Sequence, residues 1–336
     1  MAYITLNKNN FFNNLDIIAK RTSSKDKIAL VLKDNAYGHG LIEMAKLSNE
    51  YGIKKAIVKT IAEAQQIKKY FEYILVLADI PEKASNKIRY TINDIKSIDK
   101  FARNSLIELK VDTGMHRNGI VMSELKEAFK KIKERGLILE AVFTHHRSAD
   151  ELTSEWFWQN ENFKKIKEES IALANEYGFD KLRFHSANSA SLFRTQEYLE
   201  DMVRVGISAY GYIESNFIDT DLKPVLSLYA NKISSRTIYK GECVGYGATY
   251  ELKEKTVVSN YDLGYGSGFL RTCSNNYKTP NNSLLIGRIS MDNSSFISDE
   301  DELLIFDDAK VIAKSAKTIS YEVLTSLKAD IKRVLC

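Results

Sequence analysis

The sequence predicts an α/β protein in two parts, an N-terminal (β/α)8 TIM-like barrel over residues 1–222 and a C-terminal, mainly β domain over residues 223–336. Three observations predict it. Between Lys27 and about Ile207, short apolar runs alternate with longer amphipathic stretches, which is the pattern of a parallel sheet built from βαβ units. After Leu222-Lys223-Pro224 the texture changes to β-rich runs divided by Gly, Asn and Asp. The length, 336 residues, exceeds the usual size of one compact domain, so two domains, or one large barrel with an appendage, are expected on size alone.

The elements follow in order. "KIALVL" leads into the helix-like "LIEMAKLSNEYG", and "KKAIV" into "IAEAQQIKKYF". "YILVLA" is a further strand; "LIELKV" precedes "SELKEAFKKIKERG", and "LEAVFT" precedes a long charged helix running to about Tyr177. "KLRFH" and "MVRVGI" close the series, so seven or eight βα units are present. In the second part, "VLSLYANKISSRTI", "TVVSNYDLGYG", "NSLLIGRIS" and "ELLIFD" read as strands, and only "ISYEVLTSLKAD" as helix.

Composition narrows the function classes. Lysine and arginine outnumber acids by 48 to 44, dispersed rather than gathered into a basic block, so nothing points to nucleic acid. No run approaches the ~20 apolar residues of a membrane span, and the start, "MAYITLNKNNFFNNLDII", has no basic segment followed by an apolar signal core. The expectation is a cytoplasmic protein. Cys243, Cys273 and Cys336 lack the spacing of a metal site or a disulfide framework, so no metal is expected and the thiols read as reduced.

In a barrel of this kind the active site lies at the carboxyl ends of the strands, so polar residues directly after apolar runs are candidates. Lys33 follows "IALVL", His145 follows "AVFT", His185 follows "LRF" with Asn188 and Ser189 close behind, and Arg204 sits in the last strand. Any one of these could be a solvated strand-end residue, but together they converge. In "SLIELKVDTGMHRNG" a side-chain period of two places Ile107, Leu109 and Val111 on one face and Glu108, Lys110 and Asp112 on the other. A barrel strand is covered on both faces, so one row carries charge into protein, and Arg117 is a candidate partner. A structural ion-pair network would equally account for that row.

Nine segments in order, "VLKDNAYGHG", "KVDTGMHRNG", "FTHHRSAD", "HSANSA", "MVRVGISAYG", "LKPVLSL", "VGYGATY", "IGRISMDN" and "ISYEVL", closely resemble the alanine racemase family. Those are pyridoxal 5'-phosphate (PLP) enzymes with a barrel and a C-terminal β domain. The resemblance implies interconversion of L- and D-alanine, with D-alanine destined for bacterial cell-wall peptidoglycan, and a small amino acid as the only substrate partner. Lys33 then resembles the lysine that holds PLP as a Schiff base. Tyr37, Ser189, Tyr321 and the backbone of Gly206 and Ile207 match the phosphate contacts. Arg204 matches the arginine facing the pyridine nitrogen, where a permanent positive charge disfavours ring protonation. His185 and Asn188 match supports of the cofactor face.

Racemisation needs a proton removed on one face and delivered on the other. The resemblance assigns Lys33 to the D-alanine face and Tyr246 to the L-alanine face, with His145 bonded to that tyrosine and tied to Arg204. Because a free tyrosine has a pKa near ~10, it needs such help. Arg117 and the Met291 backbone N–H match the substrate-carboxylate contacts, Lys110 a lysine carbamylated in many members, and Asp292 an acid at the entrance. Tyr246 and Met291 act in the family on the partner's Lys33, so a homodimer with shared sites is implied.

Four features depart from the family pattern. Asp34 stands where alanine is usual, His146 and Arg147 replace an aromatic and a small residue, His116 replaces a glycine, and "LGYGSGFLR" lacks the acid of the common form. They raise the alternative of a broad-spectrum or serine-accepting racemase of the same fold. A non-catalytic PLP-binding homeostasis protein is a further alternative, against which the β domain with Tyr246 and "SMDN" argues. A related decarboxylase is opposed by the combination of Tyr246 and Arg204.

Overall fold

The computed structural model describes residues 1–336. Eight parallel strands form a nearly closed barrel, in the order Val203–Val205, Ile28–Val31, Lys55–Val58, Tyr73–Val76, Ile88–Ile92, Leu106–Asp112, Ile138–Phe143 and Arg183–His185. The seam between the last and first of these carries no ladder, but the Arg204 N–H donates across it to the Ala187 carbonyl at 3.1 Å. Ile88–Ile92 is the strand missing from the sequence series. Arg89 and Tyr90 interrupt its apolar run, and Arg89 lies over the Tyr73 ring and pairs with Glu140 at 2.9 Å.

Period-two alternation sorts the barrel residues. Ile28 and Leu30 point outward into the main apolar core, whereas Ala29 and Val31 meet Ile57, Tyr73, Leu75 and Met202 in a small cluster of their own. On Leu106–Asp112 the apolar row Ile107, Leu109 and Val111 packs in the main core, and Glu108 and Lys110 are buried as well. Parallel strands covered on both faces produce this pattern.

The second sheet is built on the 13-residue strand Leu226–Ile238. Its first half pairs antiparallel with Tyr3–Leu6 and Glu302–Phe306, and its second half with Thr256–Tyr261. Ser294–Phe296 and Leu285–Ile286 extend one edge, and Lys332–Leu335 pairs parallel with Tyr3–Leu6 at the other. The first strand of the chain therefore belongs to the β-rich sheet and not to the barrel, contrary to a barrel that begins at residue 1. A short amphipathic strand whose partners lie more than 200 residues away leaves no local sign of which sheet it joins. Helix Ser320–Ser326 lies within the expected helical run, but Ala309–Ala316 is a second helix, capped by the Asp308 side chain and burying Ala309, Ile312, Ala313 and Ala316.

One apolar core joins the two parts. It runs from Ile107 and Ile132 in the barrel to Leu226, Leu303 and Phe306 in the second sheet. Helix Lys8–Thr22 leads from Tyr3–Leu6 back to the barrel, with Asn7 accepting the Asn10 N–H at 2.9 Å. Buried Asn14 fastens it by donating to the Ala209 and Lys223 carbonyls and accepting the Lys223 N–H. No helix is long and apolar enough to cross a membrane.

Candidate active site

A cavity of about 500 Å³ opens at the carboxyl ends of the barrel strands. Its wall includes Lys33, Tyr37, Lys110, Arg117, His145, Asn188, Ser189, Arg204, Gly206, Ile207 and Tyr321, so the strand-end residues singled out by position do converge. His185 lies fully buried behind them.

Lys33 ends the first barrel strand and opens an unusual turn. Asp34, Asn35, Ala36 and Tyr37 all have left-handed φ between 52° and 55°. Each costs an L-residue roughly 1–2 kcal/mol, so the surroundings must hold the turn. Glu63 Oε1 accepts the Asp34 N–H at 2.9 Å, Asn35 Oδ1 accepts the Leu41 N–H at 2.8 Å, and Gly38 continues at φ 78°. The Lys33 ammonium lies 3.6 Å from the Asp34 carboxylate, which also faces Lys59 at 3.8 Å.

The turn delivers the Tyr37 hydroxyl to Gly206. A Cβ on Gly206 would lie 2.7 Å from that oxygen, so only glycine leaves the space open. Ser189 Oγ accepts the N–H groups of Gly206 at 3.2 Å and Ser208 at 3.3 Å and is hydrogen-bonded to the Ser208 hydroxyl at 2.9 Å. The Ile207 N–H has no acceptor in the protein. Tyr321 approaches from the second part of the chain, its ring 6.0 Å from that of Tyr37. Burial raises both phenols well above the usual tyrosine range, so they remain O–H donors. Converging donors without a lysine make an anion cradle suited to a phosphate.

Across the cavity, four of the five Arg204 N–H donors are used within the protein. Nη1 donates to His185 Nδ1 at 2.7 Å and His185 O at 3.0 Å, and Nη2 to Thr144 O at 2.6 Å and Ser186 O at 2.8 Å. Only Nε–H is left. The expected tie between Arg204 and His145 is absent. His185 takes that place, because its ring stacks on Phe143 and turns Nδ1 toward the guanidinium. His145 stays uncharged, held far below the usual histidine range by burial and then by Arg204, Lys110 and Arg117. Asn188 caps the helix Ser189–Arg194 by accepting the Ser191 N–H at 2.9 Å and donates to His146 O at 3.4 Å.

At Glu108 the charged row follows the second of the two readings, a structural ion-pair network. Glu108 is met by Arg183 at 3.0 Å and His185 at 2.9 Å, as well as the Tyr73 hydroxyl, and not by Arg117. Arg117 is exposed and forms no ion pair, since its loop turns outward after Asp112 and Gly114. Lys110, 9% exposed, makes no hydrogen bond. Burial, Arg117 and Arg204 lower its pKa to about 8 against the pull of Asp112.

Tyr246, Met291 and Asp292 do not reach this cavity. Tyr246 is 68% exposed on the second part of the chain, beside Arg288, Ser290 and Asn293 in a shallower depression, and Met291 is exposed nearby. Of the departures, Asp34, His146 and Arg147 line the main cavity, whereas His116 is exposed near Asp112. His146 is buried against Ser191 at 2.8 Å and held neutral down to about pH 3 by burial and the charges of Arg204 and Arg194. The left-handed turn and the Glu108 network had no sign in the sequence beyond an acidic residue on a barrel strand.

The fold and cavity define a class: a barrel enzyme with a β-rich second part, presenting a strand-end amine and an anion cradle at one mouth. Residues 6–214 match the family model "Alanine racemase, N-terminal domain" and residues 225–335 "Alanine racemase, C-terminal domain". An alanine racemase of Nitratiruptor sp. is 43% identical over 335 residues, 99% of each chain. Among solved structures, alanine racemase of Clostridium difficile 630 superposes with TM-score 0.90 at 27% identity, covering 100% of this chain and 95% of that one. That of Bartonella henselae, with covalently bound pyridoxal phosphate, superposes at 0.86 with 25% identity, covering 100% and 99%. The chain belongs to the alanine racemase family.

Proposed function

We propose that this chain interconverts L- and D-alanine with pyridoxal 5'-phosphate, by two bases on opposite faces of the substrate, Lys33 and the Tyr246 of a partner subunit. The observation that carries the reading is the separation of one chemistry into two halves. Lys33 and the cradle share a cavity that Tyr246 and Met291 do not reach, while those two stand exposed on the other part of the chain. A homodimer that seats residues 223–336 of one copy over the barrel of residues 1–222 of another completes both sites.

The residues suit the cofactor. Tyr37, Ser189, Tyr321 and the backbone of Gly206 and Ile207 would hold the phosphate, Lys33 would supply the amine for the aldehyde, and Arg204 would have Nε–H to offer the pyridine nitrogen. When bound, the cofactor withdraws electrons from the substrate Cα and makes its proton acidic. Lys33 moves that proton on one face, and the Tyr246 phenol, adjusted by neutral His145, moves it on the other. Arg117 and the Met291 N–H take the substrate carboxylate, Asp292 lines the approach, and Asn188 braces the loop carrying the cradle. Lys110 as a carbamate supplies the anion missing between Arg117 and Arg204.

The test is chiral analysis of L-alanine incubated with PLP-loaded protein in heavy water, with the active species sized by sedimentation. D-alanine carrying deuterium at Cα, made by a species of dimer mass, is expected. Absence of both D-alanine and exchange, or full activity at monomer mass, overturns the corresponding part. A broader substrate range is the second reading, because Asp34, His146 and Arg147 line the cavity. L-serine racemised as fast as L-alanine in the same assay favours it. The D-alanine product suits cell-wall peptide synthesis in the cytoplasm.

A further inference from the structure

Glu108 is fully buried inside the barrel wall, 0% exposed, and does not line the cavity. Its Oε1 accepts from Arg183 Nη2 and the Tyr73 hydroxyl, and its Oε2 lies 2.9 Å from His185 Nε2. The other nitrogen of that imidazole, Nδ1, lies 2.7 Å from Arg204 Nη1. These contacts fix every proton in the chain. A guanidinium only donates, so His185 Nδ1 must accept from Arg204 and carries no hydrogen. The single proton of the neutral ring is therefore on Nε2, where the carboxylate receives it. A doubly protonated ring would set Nδ1–H against Nη1–H.

We propose that Glu108 is a positioning residue for Arg204: through His185 it holds the imidazole in the Nε2–H form, which keeps Nδ1 as an acceptor and locks the guanidinium with Nε–H facing the cavity. This rests on the reading that Arg204 faces the cofactor ring. Glu108 has a structural share in this wall as well, because Glu140 is divided between Arg89 and Arg183 and a buried charge is costly unless partnered. A buried carboxylate that fixes the tautomer of a histidine is a device with known catalytic weight.

Glu108→Gln separates the two roles. With the amide oxygen toward Arg183 and Tyr73, its NH2 faces His185 Nε2, which must then accept, and the ring proton moves to Nδ1 against Arg204. The opposite flip sets the NH2 against the Arg183 guanidinium, where the positive charge disfavours it. Glu140→Gln serves as control, since it removes a carboxylate from the same arginine without touching His185.

The experiment combines nitrogen NMR of ring-labelled histidine, assigned with His185→Gln, with the absorption band of the bound cofactor and steady-state kinetics. In the wild type, loaded or free of cofactor, His185 should carry its proton on Nε2. In the PLP-loaded E108Q protein the proton should shift to Nδ1, the cofactor band should move, and kcat should fall on the order of tenfold or more with KM within about twofold. E140Q should change none of these. A wild-type ring protonated on Nδ1 overturns the proposal even if E108Q does not fold, and so does a folded E108Q with unchanged band and kcat. A wild type that binds PLP but does not racemise alanine overturns the reading of the site instead, and the tautomer still decides the relay.

Discussion

At Lys110 the strand pattern put a cation inside the barrel, where the charges of Arg117, Arg204 and Lys33 act on it against that of Asp112. A buried ammonium among cations loses its proton early, which is the direction of the shift to about 8. The neutral amine is the form that takes up carbon dioxide, so carbamate formation should increase as the pH rises through about 8. With labelled bicarbonate, carbon NMR should show a protein-bound carbamate signal at pH 8.5 that Lys110→Ala removes, and no such signal in the wild type counts against the assignment. Lys110 was legible because its own strand carries the period-two pattern. The partner of Glu108 was not, because His185 lies 77 residues away on another strand.

Among the elements, the left-handed turn decides the most. Four L-residues accept an unfavourable backbone because Glu63, Asn35 and the helix Ser320–Ser326 hold the turn. Gly38 sits against that helix so closely that a Cβ would lie 2.0 Å from the Leu324 carbonyl oxygen. Gly38→Ala should therefore push the helix, and Tyr321 with it, away from Tyr37. We expect a loss of roughly 2–4 kcal/mol by urea unfolding and weaker retention of PLP on dialysis. An unchanged urea midpoint would show that the turn has room to spare. Quoted as "KDNAYGHG", the segment shows glycines and a reactive amine but not the sign of φ, since Asp, Asn, Ala and Tyr ordinarily favour right-handed or extended backbone.

For the whole molecule, buried neutral histidines set the response to acid. His39 and His146 are held uncharged down to about pH 4 and 3, and His185 is shifted the same way. Below about pH 6.5 the unfolded chain binds protons that the native state refuses, so stability must fall as the pH falls. The cost is about 2 kcal/mol each for His39 and His146 at pH 5, and the urea midpoint should drop steadily from pH 7 to pH 5. A flat midpoint over that range would mean these rings are protonated in the fold. By itself the sequence determined the alternation of strands and helices, the change of texture near Pro224, and which polar residues end strands, because period and punctuation are local properties of a chain. Only the tertiary structure decided that Tyr3–Leu6 joins the second sheet, that Ile88–Ile92 completes the barrel, and that Arg204 bonds His185 rather than His145. Those depend on which distant residues share a space, and a partner far along the chain leaves no mark on the spacing of its neighbours.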